Sequence, residues 1–278
     1  MRQNSAKSRQ SPAVNPRPLP LKICVIAFDG ISAFHLSVPS VVFGENHQTP
    51  SPFDLQFCTI DGPHIRSTVG FDIQIKANWG ALAQADVIII PSWPDDLPQA
   101  PSKLIEALHA AHQRNATLMG LCLGAFVLAQ AKLLDHLEAT THWSAAQKLS
   151  AQFPLVRVNA SALYVDEGNI ITSAGTAAAI DCCLHFVRKT LGAELTNLIS
   201  RRLVMAPHRQ GGQAQFIEAP IAARPRDHAF ANLLDDMRKT LDHKHTVLTM
   251  AQRMNTTERS VSRLFSKQTG TSPAQWLL

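Results

Sequence analysis

The sequence lacks the marks of a membrane or secreted protein. No apolar run approaches the roughly 20 residues needed to span a bilayer, and the polar N-terminus, MRQNSAKSRQSPAVNPRPLP, contains no secretory apolar core. The five cysteines lie in apolar segments without paired spacing, which argues against a disulfide framework or a zinc site. We therefore expect a cytoplasmic protein without membrane partner, metal or cofactor, whose residues 1–20 form a disordered tail.

Neither the charge nor the length of the chain is extreme. The net charge of +5 at pH 7 is mildly basic, so it indicates an anionic partner only if it is localised. The 278 residues predict about two domains, and with 45% hydrophobic residues the chain can bury a sizeable core. The order of strands and helices along the chain indicates where these domains lie.

Apolar strands alternate with helical segments over the first three quarters of the chain. The predicted strands are 21–28, 53–60, 71–75, 87–90, 116–121, 163–165 and 170–172, and the predicted helices lie within 31–43, 102–114, 125–131, 142–153, 176–188 and 194–204. This alternation predicts an α/β fold with a mostly parallel sheet and helices on both faces. The ligand crevice of such a sheet lies at the carboxyl ends of its strands.

The stretch ATLMGLCLGAFVLAQA, residues 116–131, joins a strand to a helix almost without a loop. Cys122 stands at the bend, which would project its side chain over the carboxyl edge, and Gly124 would let the helix pack closely behind it. This arrangement is typical of a nucleophile elbow, with cysteine in place of serine. The helix N-terminus would lower the pKa of the thiol. The alternative is a buried, inert cysteine.

The C-terminal part of the chain differs in composition. Residues 207–227 contain paired glycines and three prolines, which predicts a linker that partly packs on the first domain. Residues 228–278 predict a small all-α domain. In it, a helix ending near Met254, a turn at Asn255 and a second helix capped by Thr257 form a helix-turn-helix.

The second helix of this motif would display a basic face. Arg259 and Arg263 could donate to guanine edges in a major groove, Ser262 could reach either purine or pyrimidine, and Lys267 is better placed for phosphate. The predicted DNA-contacting residues are Thr257, Arg259, Ser262, Arg263 and Lys267. Residues 228–278 carry seven cations and four anions, a net charge of +3. The alternative is a solvated basic helix face without a partner.

Longer motifs carry resemblances to two known families. GLCLGAFVLAQA, TTHW at 140–143, LYVDEGNIITSAGTAAAID at 163–181 and RRLVMAPHRQGGQAQF at 201–216 resemble the PfpI-like branch of the class I glutamine amidotransferase superfamily. MAQRMNTTERSVSRLFSKQTGTSPAQWLL at 250–278 resembles the first helix-turn-helix of AraC-type transcriptional regulators. The two domains in this order resemble the GlxA subgroup of AraC-type regulators.

The resemblance implies a transcriptional regulator, with activation favoured over repression. Residues 21–206 would form an amidotransferase-like domain that senses a small-molecule effector and forms a homodimer, and residues 228–278 would bind DNA. The effector would bind in the crevice near the elbow. The predicted pocket residues are Cys122, Leu123, His35, Ser92, Trp93 and His142.

Three departures from the PfpI-type enzymes predict that the chain is not an enzyme. Those enzymes place histidine directly after the cysteine, where this chain has Leu123, and a carboxylate on the first helix, where it has His35. A strand-end glycine that would help to form an oxyanion site is replaced by Ser92. The alternatives are a PfpI-like cysteine-dependent hydrolase or lyase, in which His35 pairs with Cys122, and a redox sensor that uses the same thiol.

A fourth departure concerns the DNA-binding part. AraC-type domains contain two helix-turn-helix units joined by a long central helix, and this chain shows the first unit and the start of that helix. We therefore expect Trp276, Leu277 and Leu278 to lack apolar partners. A single unit makes fewer phosphate contacts, which predicts weaker and more salt-sensitive DNA binding.

Overall fold

The structure is a computed structural model that describes residues 19–44, 50–76, 79–206, 209, 211, 225–240, 243 and 245–277. The chain divides into two compact units, Met1–Gln215 and Phe216–Leu278. Residues 1–18 of the predicted tail and most of the predicted linker lie outside the described residues. In the described part of the chain, none of the helices is both long and apolar enough to cross a membrane.

A sheet with a mostly parallel arrangement forms the centre of the first unit. The strands of this unit are β1 (Leu21–Ala27), β2 (Phe53–Thr59), β3 (His64–Arg66), β4 (Asp72–Gln74), β5 (Val87–Ile90), β6 (Thr117–Leu121), β7 (Glu138–Ala139), β8 (Arg157–Val158), β9 (Tyr164–Asp166) and β10 (Ile170–Ser173). The main sheet has the order β2-β1-β5-β6-β10-β9. All its neighbouring pairs are parallel except β10 and β9, which form the predicted hairpin.

The inner strands are apolar on both faces because helices cover the sheet on both sides. β5 (VIII) and β6 (TLMGL) are buried over their whole length, and β1 is buried except at Lys22. The outer strand β2 contains more half-buried and exposed positions. The parallel sheet with its flanking helices confirms the predicted α/β class.

Seven helices are described in the first unit: α1 (Ala33–Pro39), α2 (Gly80–Gln84), α3 (Ser102–Gln113), α4 (Gly124–Gln130), α5 (Trp143–Gln152), α6 (Ala177–Leu191) and α7 (Ala193–Arg202). The first of them continues directly into a π-helical turn, Ser40–Gly44. α6 contacts α1 and α7, whereas α2 contacts α3. Apart from α2, these bounds agree closely with the predicted helices.

Short elements with little apolar periodicity were missed by the sequence prediction. β3 was not predicted, and it pairs with β4 in a separate two-stranded antiparallel sheet, so the predicted strand 71–75 does not join the main sheet. The pair β7 and β8 and the short helix α2 were also missed. Most side chains of β3 and β4 are exposed, so the sequence carries no buried face there to detect.

The second unit is all-α, as predicted. Its described helices are α8 (Pro225–Lys239), α9 (Val247–Arg253), α10 (Glu258–Thr269) and α11 (Pro273–Leu277). Phe230 of α8 and Phe265 of α10 pack edge to face, with ring centroids 4.9 Å apart. Around them lies the remainder of a small core, which is Leu233, Met237, Met250, Ala251 and Val261. The first of these helices begins within the predicted linker.

The prediction that the C-terminal apolar residues lack partners is wrong for Trp276 and Leu277. Both are half-buried against the core of the second unit. The Trp276 ring lies 6.1 Å from that of Phe265, and the Arg238 guanidinium lies 5.6 Å from its centroid. Gly270, with a φ of 71°, ends α10 in the left-handed conformation, after which α11 packs against α10. Leu278 lies outside the described residues.

Candidate functional site

Cys122 lies at a sharp bend between β6 and α4, which confirms the predicted elbow. Its φ of 51° lies in the left-handed region, where residues other than glycine are uncommon. The Cys122 N–H donates to the Ser173 carbonyl oxygen over 2.9 Å, and the Thr141 hydroxyl donates to the Cys122 carbonyl oxygen over 2.7 Å. These bonds hold the strained backbone in place at the carboxyl ends of β6 and β10.

Two glycines make the bend possible. A Cβ at Gly124 would lie 2.2 Å from the Ile90 carbonyl oxygen, so the close helix packing predicted for this glycine is confirmed. Gly175 follows β10 with a φ of 79°, and a Cβ there would lie 2.1 Å from the Cys122 Cβ. No other residue could occupy position 175 without displacing the cysteine.

The thiol of Cys122 is buried and its pKa is raised. Burial raises the pKa because it disfavours the thiolate, although the Leu123 N–H and the Ser92 hydroxyl donate hydrogen bonds that lower it. The charge of Asp95 raises it further. The predicted lowering of this pKa is therefore wrong. Desolvation outweighs the donors because only 5% of the residue is exposed.

Two imidazoles of the predicted pocket are affected by the same Asp95 charge as this thiol. Burial lowers the pKa of His35, with His142 adding to the decrease and Asp95 opposing it. Burial likewise lowers the pKa of His142, again against the charge of Asp95. Both rings are therefore neutral at neutral pH. The Nε2 atom of His35 is buried and has no hydrogen-bond partner among the described residues, so the predicted alternative of an ion pair with Cys122 is not formed.

The remaining predicted pocket residues have different surroundings. Trp93 is buried, its Nε1 donates to the Pro98 carbonyl oxygen over 2.8 Å, and its ring packs 5.5 Å from Phe28. The half-buried His142 shares a 2.7 Å hydrogen bond with the Ser144 hydroxyl through Nδ1. Trp93 therefore packs within the protein, whereas His142 forms its hydrogen bond with a neighbouring serine.

Three residues of the site were missed by sequence reasoning. Asp95 acts electrostatically on the thiol and on both imidazoles, Thr141 binds the cysteine carbonyl, and Gly175 makes room for it. Each follows a strand or an apolar segment at the carboxyl edge, where polar residues and glycines are expected to line a crevice. Within the described ranges, no group of three or more His, Cys, Asp or Glu side chains could hold a metal ion.

An apolar cavity lies away from Cys122. It has a volume of about 710 Å³ and lies between α1, β2 and the β3–β4 hairpin, lined by apolar residues that include Leu36, Val41, Phe57 and Ile73. Phe71, which also lines it, is 50% exposed. Its lining shares no residue with the Cys122 site. Exposed aromatic side chains around an apolar groove are typical of a surface that packs against another molecule.

The second unit presents a helix-turn-helix. Asn255 adopts the predicted left-handed conformation, with a φ of 49°, between α9 and α10. The Thr257 hydroxyl accepts a hydrogen bond from the Ser260 N–H over 3.3 Å, so it caps α10 as predicted. The cap gives Thr257 a positioning role at the start of the helix, and its predicted contact with DNA stays a prediction.

α10 is amphipathic, with a basic outer face. Arg259, Arg263 and Lys267 are exposed and follow one another at intervals of four residues, so they form a stripe along one side. Ser262, beside this stripe, is half-buried. Phe265 lies on the opposite side in the core. Three cations on the second helix of a helix-turn-helix fit the phosphates and guanine edges of DNA.

A parallel sheet with a cysteine at a strained strand-to-helix bend defines an α/β domain of the nucleophile-elbow class. The chain belongs to the DJ-1/PfpI family, whose sequence model matches residues 21–189. This match confirms the predicted PfpI-like domain. The family assignment fixes the fold of the first unit, while its chemistry depends on the side chains around Cys122.

Curated relatives include regulators and an enzyme. The chain is 25% identical to the HTH-type transcriptional regulator CdhR of Pseudomonas aeruginosa over 218 residues, which cover 78% of this chain and 65% of that regulator. It is 23% identical to an isonitrile hydratase of Pseudomonas putida, over 72% of this chain and 80% of the hydratase. The chain thus spans less than two thirds of CdhR.

A solved structure matches the first unit. The crystal structure of an AraC family transcriptional regulator from Pseudomonas putida has a TM-score of 0.59 and 21% identity, and the match covers 66% of this chain and all of that one. At this identity the likeness shows the fold. The resemblance of the sequence to AraC-type regulators agrees with the relatives found.

Proposed function

We propose that the protein is a sequence-specific DNA-binding transcriptional regulator whose α/β unit binds a small-molecule effector. The observation that carries the proposal is the exposed stripe of Arg259, Arg263 and Lys267 on the second helix of a helix-turn-helix. The similarity of most of the chain to a helix-turn-helix regulator supports it. Such a regulator would act in the cytoplasm.

The effector site that we propose is the crevice at Cys122. Several polar groups converge there, and the buried His35 Nε2 has no partner among the described residues. A buried polar atom without a partner favours a ligand that supplies the missing hydrogen bond. The neutral thiol and the two neutral imidazoles favour an uncharged or weakly polar group at that position.

We also propose that two copies associate, so that two recognition helices read repeated half-sites. The apolar groove beside α1 supports this, because Phe71, which lines it, exposes 50% of its surface. Effector binding would then alter transcription by favouring one arrangement of the dimer. Resemblance to the AraC-type group favours activation.

The test is selection of bound duplexes from a random DNA pool, followed by salt-titrated binding to the selected sequence. Arg259→Ala/Arg263→Ala should lose about 1–3 kcal/mol of discrimination per arginine, because each removes a bidentate contact to guanine. Lys267→Ala should weaken binding to all sequences and make the salt dependence shallower. Direct repeats or palindromes in the selected DNA are expected from a dimer.

The control is Arg201→Ala/Arg202→Ala, which removes the same charge from exposed positions of α7 in the first unit. It should retain sequence discrimination. If both double variants lose affinity equally, the basic charge acts non-specifically and the assignment of α10 as recognition helix is wrong.

A second candidate function is a cysteine-dependent hydrolase or lyase. The strained elbow at Cys122 and the similarity to an isonitrile hydratase favour it. Against it stand the raised pKa of the thiol, the absence of a hydrogen bond from His35 within the described structure, and Leu123 in place of histidine. We therefore propose that the crevice binds its effector without transforming it. The reactivity of Cys122 distinguishes the two functions.

A further inference from the structure

Arg209 and Gly211, the described residues of the segment that follows α7, contact β9, the residue before it and α6. Arg209 Nη1 donates to Asp181 Oδ2 over 3.1 Å, and the Tyr164 hydroxyl donates to the Arg209 carbonyl oxygen over 2.8 Å. The Leu163 N–H donates to the Gly211 carbonyl oxygen over 2.6 Å. Side-chain and backbone bonds together therefore attach this segment to β9, to the residue before it, and to α6.

The backbone at Gly211 lies very close to β9. A Cβ at Gly211 would lie 2.4 Å from the Tyr164 carbonyl oxygen, so the backbone of the segment reaches β9 only because position 211 has no side chain. Tyr164 is buried, and its ring lies 4.7 Å from that of His185. A glycine fitted against a buried tyrosine indicates a defined contact rather than an incidental one.

The two partners of the ion pair at this site differ in their exposure to solvent. The Asp181 side chain is 1% exposed, whereas 38% of Arg209 is exposed. Asp181 Oδ1 is buried without a hydrogen-bond partner among the described residues, whereas Oδ2 accepts the hydrogen bond from Arg209. A buried carboxylate that loses its cation is strongly unfavourable. Departure of the segment would therefore leave Asp181 uncompensated.

Hydrogen bonds connect this site with the Cys122 bend. The Ser173 carbonyl oxygen accepts from the Cys122 N–H, and the Ser173 hydroxyl donates to the Leu163 carbonyl oxygen over 3.1 Å. Leu163 in turn donates to Gly211. If Cys122 moves, Ser173 is displaced with it, and Ser173 is bonded to Leu163, which holds Gly211. From there the chain runs on to the helical unit.

We propose that Arg209, Asp181 and Gly211 form a latch, in which occupancy of the Cys122 crevice is coupled to the attachment of Arg209 and Gly211 to β9 and α6. This proposal rests on the proposed function, because it supplies the regulation of that effector site. Coupling between two sites is reciprocal. Opening the latch must therefore alter the Cys122 crevice as filling the crevice alters the latch.

The experiment uses the full chain without DNA or effector. Arg209→Gln opens the latch, and Tyr164→Phe, which loses only the hydroxyl bond, is the milder variant if the first fails to fold. Arg66→Gln is the matched control, because it removes an ion pair with Asp29 whose arginine is 79% exposed. One readout is hydrogen exchange of the Leu163 amide. The other is the rate at which iodoacetamide labels Cys122, relative to the fully buried Cys183.

We expect Arg209→Gln to speed exchange at Leu163 at least about tenfold, because the buried ion pair no longer opposes opening. The labelling of Cys122 relative to Cys183 should rise several-fold, and Arg66→Gln should change neither readout. General loosening of the unit would raise both thiols together and would overturn the proposal. So would faster exchange at Leu163 with unchanged labelling of Cys122. Because no DNA is used, a failure here is distinct from a failure of DNA binding.

Discussion

Gly175→Ala should destabilise the α/β unit through two separable effects. The first is conformational: a φ of 79° costs an L-residue roughly 1–2 kcal/mol. The second is steric, because the new Cβ would lie 2.1 Å from the Cys122 Cβ and 2.5 Å from its Cα, which no side-chain rotation relieves. Overpacking of this kind costs about 1–3 kcal/mol. The free energy of unfolding should fall by about 2–5 kcal/mol in total.

Gly168→Ala is the matched control for this substitution. Gly168 has a φ of 95° in the turn between β9 and β10, and a Cβ there would meet nothing within 4 Å. It therefore carries the conformational cost alone, roughly 1–2 kcal/mol. The difference between the two variants isolates the steric contact with the cysteine.

Urea unfolding followed by labelling of Cys183 measures both variants. All five cysteines lie within the first unit, so thiol exposure reports on that unit and is blind to the second. Gly175→Ala should lower the midpoint clearly more than Gly168→Ala. Equal destabilisation would refute the reasoning, because it would mean that a side chain at position 175 makes no steric contact with Cys122.

Two further predictions concern titration. Burial raises the pKa of Asp166, but hydrogen bonds from His185, Lys189 and the Gly168 N–H lower it to about 2. Its stabilising effect is therefore present above the unfolded pKa near 4 and is lost as the pH falls towards 2, and after a discount for partial exposure it is worth about 1–2 kcal/mol. Asp166→Asn should lose this part of the acid dependence of the urea midpoint, and an unchanged profile would contradict the assignment. For Cys122, iodoacetamide labelling at pH 7.5 should be slower than that of an ordinary exposed thiol and should keep rising above pH 9, because burial raises its pKa. Rapid labelling that is already complete at pH 6 would favour the hydrolase.

The elements that the sequence predicted are those with a local signal. Continuous apolar runs predicted β5 and β6, and the near absence of a loop predicted the bend at Cys122. Asn255 and Gly270 predicted the ends of helices, because few residues adopt the left-handed conformation that both show. Short exposed strands such as β3 have no such signal.

What could not be predicted depends on contacts between distant residues. Arg209 contacts Asp181 although 28 residues separate them in the sequence, and no local pattern indicates that pairing. The direction of the pKa shift of Cys122 depends on the balance between desolvation and two hydrogen bonds, and that balance requires the packed structure. Trp276 was expected to lack partners because the sequence shows only the first helix-turn-helix unit. Its contacts with Phe265 and Arg238 form when α11 folds against α10.

At the elbow, the position of the cysteine sulfur and its reactivity depend on different features of the structure. The left-handed φ of Cys122 and the missing side chain of Gly175 place the sulfur at the carboxyl edge. Reactivity requires more, namely a base within hydrogen-bond reach and a site that stabilises the thiolate. Here burial favours the neutral thiol, and His35 directs no hydrogen bond to it in the described structure. The same backbone that could present a nucleophile therefore holds a neutral thiol, and this supports our proposal that the site recognises a ligand rather than attacks it.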